Sequence, residues 1–241
     1  FPMKSLSRLF SVVVSLLSVS PSWVNGAPVG QWSFDETSGA VAADGSGNHK
    51  NVTIYGTAGW TPGQTNGALQ FNGTTTYGKV ADSPLFDGTN KLTISCWVKP
   101  EGLDGSPRFI VSKRSGLNLN CSYSLFFYTG KKQFADINLN GSAGDRIESQ
   151  TVFENDRWYH LMMVYDGEAH LSQRVRLYVD GKLDRQAAVG STSIPDHASD
   201  LFIGTAHQGS SSKFKGLIDE LSIRREIPDD TEIAAYHRGI W

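Results

Sequence analysis

The clearest β-strand pattern of apolar and polar positions lies between residues 158 and 182. The first part of this stretch, residues 158–165, carries apolar or aromatic side chains on both of its alternating faces. A strand with two apolar faces is buried on both sides. We therefore predict that this strand lies in the middle of a layered structure, where Met162, Met163 and the aromatic side chains fill the core.

The second part, residues 175–180, alternates between the two faces. Arg176 and Tyr178 share the more polar face, which is typical of a half-buried strand with a solvent side. Each part ends in Asp-Gly, at 166–167 and 180–181. Asp-Gly is a strong signal for a tight hairpin turn, because glycine adopts the positive φ that such a turn requires.

Similar short apolar runs recur along the chain, separated by turns rich in Gly, Asn, Asp and Pro. This spacing predicts one all-β domain, an antiparallel two-sheet sandwich or jelly roll. A short helix is predicted at residues 228–237, where Asp229, Asp230 and Glu232 fall in the first turn. The further predicted strands are 30–36, 52–55, 68–73, 77–80, 92–99, 108–112, 122–128, 133–139, 146–151, 201–205 and 214–224.

The N-terminal segment has the pattern of a secretory signal peptide. Lys4 and Arg8 form a basic region, and the apolar run at residues 9–19 is too short to span a bilayer. We predict removal of residues 1–26, leaving a domain at 27–241 that is secreted or periplasmic and not embedded in a membrane.

Composition narrows the possible partners. The formal net charge of −2 gives no indication of a nucleic-acid partner. The chain has two cysteines, Cys96 and Cys121, whose spacing fits no zinc or redox motif. Export permits a disulfide between them, and two buried free thiols are the alternative.

Several motifs resemble those of the laminin-G-like and concanavalin A-like jelly-roll domains. The resemblance covers the chain after residue 26, and it implies an antiparallel jelly roll in which the first and last strands lie close together. This fold hosts lectins, adhesion modules and enzymes, so it does not define a function. The matching stretches are residues 32–36, 44–48, 67–73, 92–100, 158–161, 164–167, 177–181, 214–220 and 232–236.

Acidic residues at the two ends of the domain indicate a calcium site. In the last strand, Asp219 falls on the same alternating face as the apolar residues around it, and a charge there needs a partner. Carboxylate, amide and carbonyl oxygens are the ligands of Ca²⁺. We predict a structural Ca²⁺ bound by Asp35, Asp44, Asn48 and Asp219. The alternative is that Asp35 and Asp219 shape turns or pair with basic side chains.

Carbohydrate binding needs aromatic side chains that stack on sugar rings, and polar groups that orient the hydroxyls. The candidates at strand ends and in loops are Trp60, Arg108, Tyr128 and His207. Each of these residues also fits an ordinary surface or core position.

Catalysis has little support in the sequence. The chain contains no Gly-x-Ser-x-Gly or His-Glu-x-x-His motif, and we expect His160 to be a core histidine. The sequence thus favours a secreted, non-catalytic carbohydrate-binding module that binds a polysaccharide or glycan and is stabilised by calcium. The alternatives are an extracellular adhesion or protein-binding domain, and a polysaccharide hydrolase or lyase.

Overall fold

The computed structural model describes residues 26–117, 120–140 and 143–238. These residues form two antiparallel sheets of eight strands each. The strands are β1 Gly30–Trp32, β2 Val41–Ala42, β3 Val52–Tyr55, β4 Gly59–Pro62, β5 Gly67–Asn72, β6 Tyr77–Val80, β7 Lys91–Pro100, β8 Arg108–Lys113, β9 Cys121–Tyr128, β10 Lys132–Asn140, β11 Ala143–Val152, β12 Tyr159–Asp166, β13 Val175–Val179, β14 Lys182–Ala187, β15 Leu201–Ile203 and β16 Lys215–Arg224.

Sheet I has the strand order β14-β13-β12-β7-β16-β5-β4, and β1 also pairs with β16. Sheet II has the order β11-β10-β9-β8-β15-β6-β3-β2. The predicted two-sheet jelly-roll sandwich is therefore confirmed, as is the proximity of the first and last strands, because Trp32 in β1 pairs with Leu221 in β16. The core lies between the sheets, where alternating side chains of both inner faces meet.

Strand β12 is buried on both faces, as predicted. Leu161 and Met163 point into the core between the sheets. Met162 and Val164 point the other way, onto the outer face of sheet I. Part of the prediction is wrong, because Met162 packs outside the space between the sheets.

A C-terminal helix, α1 Asp230–His237, covers Met162 and Val164. The helix begins with a capping box in which Asp229 accepts a hydrogen bond from the Glu232 N–H at 2.8 Å, and the Glu232 carboxylate accepts one from the Asp229 N–H at 2.9 Å. Tyr178 is also buried under this helix, so the prediction that it lies on the solvent side is wrong.

Only the second Asp-Gly forms a tight hairpin. Asp180 and Gly181 adopt φ of 50° and 73° between β13 and β14. After Asp166 the chain instead makes a longer loop that contains a 3-10 turn, Leu171–Gln173. The structure also adds strand β4 within a Gly- and Pro-rich stretch that the sequence analysis left without a strand.

A β-bulge in β16 changes the direction of Asp219. Glu220 has a φ of 49°, and the pairing with β7 shifts by one residue between Asp219 and Ser222. Before the bulge Ile218 points into the core, and after it Leu221 and Ile223 do so. Asp219 therefore lies on the outer face of sheet I, so its predicted position on one face with Leu221 and Ile223 is wrong.

The two cysteines are buried free thiols. Cys96 lies in β7 of sheet I and Cys121 begins β9 of sheet II. Of the two alternatives, the structure thus has the free thiols and not the disulfide. No helix within the described residues has the length and apolar character needed to cross a membrane. The predicted signal peptide falls on residues 1–26, of which the structure describes only Gly26.

Candidate binding surfaces

Two distant acids hold the turn at residues 63–67, which joins β4 to β5. The Asp219 Oδ2 accepts hydrogen bonds from the N–H groups of Gln64 and Thr65, each at 2.9 Å. The Asp35 Oδ1 accepts one from the Gly67 N–H at 2.8 Å. Asp219 reaches the turn because it lies at the bulge, where the neighbour of β16 changes from β5 to β1.

The Asp219 carboxyl is fully buried, and its Oδ1 has no hydrogen-bond partner among the described residues. The pKa of Asp219 is raised to about 7, chiefly by burial, which outweighs the lowering effect of the Thr65 and Gln64 N–H groups. The charge of Asp35 makes a smaller contribution to the rise. Lys215 and Arg224, the basic residues of β16, bond elsewhere, to Glu101 and to the Gly26 carbonyl.

Asp44 and Asn48 stabilise a different loop. The Asp44 carboxylate accepts hydrogen bonds from the N–H groups of Gln31, Ser46 and Lys50 at 2.9–3.1 Å. Partial burial works to raise the pKa of Asp44, but the Lys50 N–H and the Ser46 hydroxyl and N–H outweigh it, so the pKa lies below its usual value. Asn48 donates its side-chain N–H to the Val29 carbonyl at 3.3 Å.

These contacts indicate which of the predicted calcium ligands lie together. In residues 26–117, 120–140 and 143–238, no three His, Cys, Asp or Glu side chains come together in a way that could hold a metal ion. The contacts of Asp44 and Asn48 are with a separate loop and with the start of the first strand, and not with the turn at residues 63–67. Asp219 and Asp35 are the predicted ligands that fit a cation, because the Asp219 Oδ1 has no hydrogen-bond partner among the described residues and Asp35 binds the same turn. Calcium stays a prediction.

A groove of about 450 Å³ lies beside this turn. Its lining includes Trp60 and Thr61 of β4, Asn66 of the turn, and Asp35 and Glu36. Trp60 is partly buried, and its indole N–H donates to the Gly39 carbonyl at 3.0 Å, which fixes the ring. The structure therefore brings together Trp60, a predicted sugar contact, and Asp35, a predicted metal ligand.

Glu36 is one of the groove residues that the sequence did not predict. Its Oε1 accepts a hydrogen bond from the Ala43 N–H at 2.7 Å. Its Oε2 is buried and has no partner in the described part of the chain. The signal available in the sequence was its position directly after Asp35, in a loop that leaves the first strand.

The other three predicted sugar contacts lie apart from this groove, on or beside sheet II. Tyr128 ends β9 and packs against Phe134 at a ring-centroid distance of 5.6 Å. Arg108 begins β8, where its guanidinium pairs with Asp104 at 2.8 Å. His207 lies in the loop after β15, and it lines a separate cavity of about 230 Å³.

The outer face of sheet II, which points away from sheet I, carries a buried charge cluster. Asp136 in β10 and Arg114 after β8 are fully buried, and the Arg114 NH2 lies 2.6 Å from the Asp136 Oδ2. Arg146 in β11 binds the same carboxylate at 2.7 Å and 3.0 Å. Sequence reasoning missed this cluster, although the isolated Asp136 in an otherwise largely apolar run was a signal for it.

His160 is buried between sheet I and helix α1. Its ring centroid lies 5.3 Å from that of Trp97 and 6.0 Å from that of His237. Burial, with a smaller contribution from His237, lowers the pKa of His160 to about 3, so the imidazole is neutral at physiological pH. This agrees with the expectation of a core histidine.

Several solved structures share the fold. Domain 4 of AbnA, a GH43 extracellular arabinanase from Geobacillus stearothermophilus solved in complex with arabinotriose, is 19% identical, with a TM-score of 0.65 over 86% of this chain and 97% of that domain. The binding domain of Paraclostridial Mosquitocidal Protein 1 is 12% identical, with a TM-score of 0.69 over 88% of this chain and 52% of the other.

The binding domain of Botulinum neurotoxin DC, in complex with rat synaptotagmin II, is 11% identical, with a TM-score of 0.66 over 89% of this chain and 52% of the other. The chain thus spans about half the length of these two toxin domains. At these identities the likeness shows the fold alone. No curated protein sequence matches the chain.

Residues 72–234 match the family model described as the concanavalin A-like lectin/glucanases superfamily. The match extends from the end of β5 into helix α1, and so covers more than half of the chain. The chain belongs to the concanavalin A-like lectin/glucanase superfamily.

Proposed function

We propose that this protein is a non-catalytic carbohydrate-binding module whose ligand lies in the groove beside Trp60. The observation that carries the proposal is the composition of that groove. It places a fixed indole ring next to the carboxylates of Asp35 and Glu36, the amide of Asn66 and the hydroxyl of Thr61. Its volume lies within the range of small-ligand sites, about 300–1,000 Å³.

Each group has a role in binding a sugar. The apolar face of a sugar ring packs on an indole. Carboxylates accept hydrogen bonds from the hydroxyls, and amides both accept and donate them. The Asp35 carboxylate and the Asn66 amide are oriented by their own contacts, because the Asn66 side chain donates to the Asp35 Oδ2 at 3.3 Å. Such pre-orientation reduces the entropy lost on binding.

The comparisons support binding in general. The AbnA domain was solved in complex with arabinotriose, and the two toxin structures are binding domains, one of them in complex with rat synaptotagmin II. The proposal includes export, which the basic and apolar segment before residue 27 favours. It also includes a calcium ion at Asp35 and Asp219, which the unpartnered Asp219 Oδ1 favours.

Calorimetric titration with neutral oligosaccharides, beginning with arabinotriose, tests the proposal. Trp60→Ala should weaken binding about tenfold or more, since truncating a central Trp costs about 2 kcal/mol or more. Trp60→Phe should retain part of the affinity and checks that the fold survives. Tyr55→Ala is the matched control, because Tyr55 is an exposed aromatic in sheet II, away from the groove.

Equal affinity of the wild type and Trp60→Ala for every sugar that binds would contradict the proposal. Absence of binding across a broad glycan array would also contradict it, and would favour a protein-binding domain instead. A reducing-sugar assay on the same panel tests catalysis, for which we expect no turnover.

A further inference from the structure

The outer face of sheet II has a cavity with a different chemistry from the Trp60 groove. Its volume is about 230 Å³, and Phe109, Phe126 and Tyr128 line it together with Arg114 and Arg146. The three aromatic side chains come from the adjacent strands β8 and β9, in which Phe109 pairs with Phe126. The two arginines flank them from the end of β8 and from β11.

Positive charge exceeds negative charge at this cavity. Two guanidinium groups, of Arg114 and Arg146, share one carboxylate, that of Asp136, so the cluster carries a net charge of 2 − 1 = +1. The nearby Arg108 does not add to this excess, because it pairs with Asp104. A positive cavity with aromatic walls favours an anionic ligand that also has an apolar face.

Arg146 is the group of this cluster that a ligand can reach. Arg114 and Asp136 are fully buried, whereas 38% of the Arg146 side chain is exposed. Asp136 binds the Nε and NH2 of Arg146, and the Phe126 ring lies 5.4 Å from its guanidinium carbon. These contacts hold the guanidinium in place and leave its NH1 donors for a second anion. Planar guanidinium groups bind carboxylates and sulfates in this way.

Arg114 supports the site from beneath. It stacks on Phe109, with 4.9 Å between the guanidinium carbon and the ring centroid, and its Nε is buried without a partner in the described residues. Arg114 also borders the second cavity of about 230 Å³, where His207 and Gln208 lie. Arg114 is thus a lining residue of both cavities.

We propose that this face of sheet II binds an acidic oligosaccharide, with the anionic group of one sugar on Arg146 and its ring against Tyr128. The site is separate from the Trp60 groove and does not depend on the function proposed for that groove. A chain with both sites binds neutral and acidic glycans at different surfaces.

Titration with oligogalacturonate and with its methyl ester tests this site. The two probes have the same sugar rings and differ in charge. The acid should therefore bind at least about tenfold more tightly than the ester, as expected for a charge-assisted hydrogen bond. Arg146→Gln should remove this difference. Lys132→Gln, the matched control, makes the same change in net charge on the adjacent strand outside the cavity, and should retain the difference.

Tyr128→Ala keeps every charge and should weaken the binding of both probes. A sulfated oligosaccharide of the same length should bind if the site accepts any anionic sugar, and should not bind if the site accepts only carboxylates. If it binds, Arg146→Gln should weaken its binding. The proposal is overturned if the acid and its ester bind wild-type protein equally, if neither binds, or if Arg146→Gln and Lys132→Gln behave alike. None of these outcomes affects the separate proposal that neutral oligosaccharides bind in the groove beside Trp60.

Discussion

Asp35 and Asp219, which lie near opposite ends of the described chain, bind the backbone of the same turn. Asp35 accepts the Gly67 N–H, and Asp219 accepts those of Gln64 and Thr65. One acid is exposed and the other is fully buried. The turn therefore depends on two carboxylates in different environments, and the pKa of the buried one, Asp219, is raised to about 7.

Asp219 should make stability depend on pH. Its pKa is raised to about 7 in the folded chain, whereas an unfolded chain has a value near the usual ~3.9. An acid whose pKa rises on folding contributes stability at low pH, and this contribution is lost as the pH rises through about 7. We predict that the free energy of unfolding falls between about pH 4 and pH 8 for this reason.

Urea unfolding at several pH values, in the presence of a chelator, measures this effect. Asp219→Asn keeps an acceptor for the Gln64 and Thr65 N–H groups and removes the charge, so it should flatten the pH dependence and raise Tm at pH 8. An increase of about 2–4 °C corresponds to about 1 kcal/mol in a domain of this size. The control, Asp196→Asn at an exposed position, should follow the wild type. A flat profile for wild-type protein would contradict the prediction.

Calcium should bind at Asp35 and Asp219 and raise stability. Calorimetric titration of chelator-treated protein should show binding that both Asp35→Asn and Asp219→Asn abolish. At a calcium concentration one hundred times Kd, the gain in unfolding free energy should be about 2.7 kcal/mol. Asp44→Asn should instead lower stability equally with and without calcium, because Asp44 binds the N–H groups of its own loop. An unchanged Tm on adding calcium would count against the site.

Both cysteines should be unreactive in the native protein. Burial raises the pKa of the Cys121 thiol to about 11 and that of Cys96 still higher, so little thiolate forms at neutral pH. A thiol reagent should therefore label neither residue in native protein and both in denaturant. Failure to label either residue in denaturant without a reductant would reveal a disulfide.

Loss of the helix cap should destabilise the C-terminal part of the domain. Asp229→Ala removes one half of the capping box and should cost about 1 kcal/mol. Asp230→Ala changes the same charge at the next position, which does not cap the helix, and should cost less. Equal losses for the two variants would show that charge near the helix N-terminus matters more than the cap.

Alternation along the chain predicts most of the strands, and the acidic residues of its first turn predict the helix. Strand β3 matches its predicted bounds, and β7 extends the predicted run by one residue at each end. The direction of Asp219 could not be predicted, because the bulge rests on a positive φ at Glu220, a residue type that does not signal it. The burial of Tyr178 depends on helix α1, whose position over sheet I the strand pattern does not contain.

The candidate sites were predicted only in part. Trp60 and Asp35 were chosen for different ligands, and three-dimensional proximity alone places them in one groove. In the sequence, Asp136 lies 22 residues from Arg114 and 10 residues from Arg146. The three side chains meet because β8, β9, β10 and β11 are neighbours in sheet II. Strand order is a property of the whole fold, so short motifs could not reveal this cluster.

Helix α1 also determines where the chain can be shortened. It shields Met162, Val164 and Tyr178 on the outer face of sheet I. A chain cut before Asp229 would keep every strand and expose this apolar surface to solvent, where it would promote self-association. Expression of the protein in soluble form should therefore require the chain through His237, even though neither of the two candidate binding sites contains a residue of the helix.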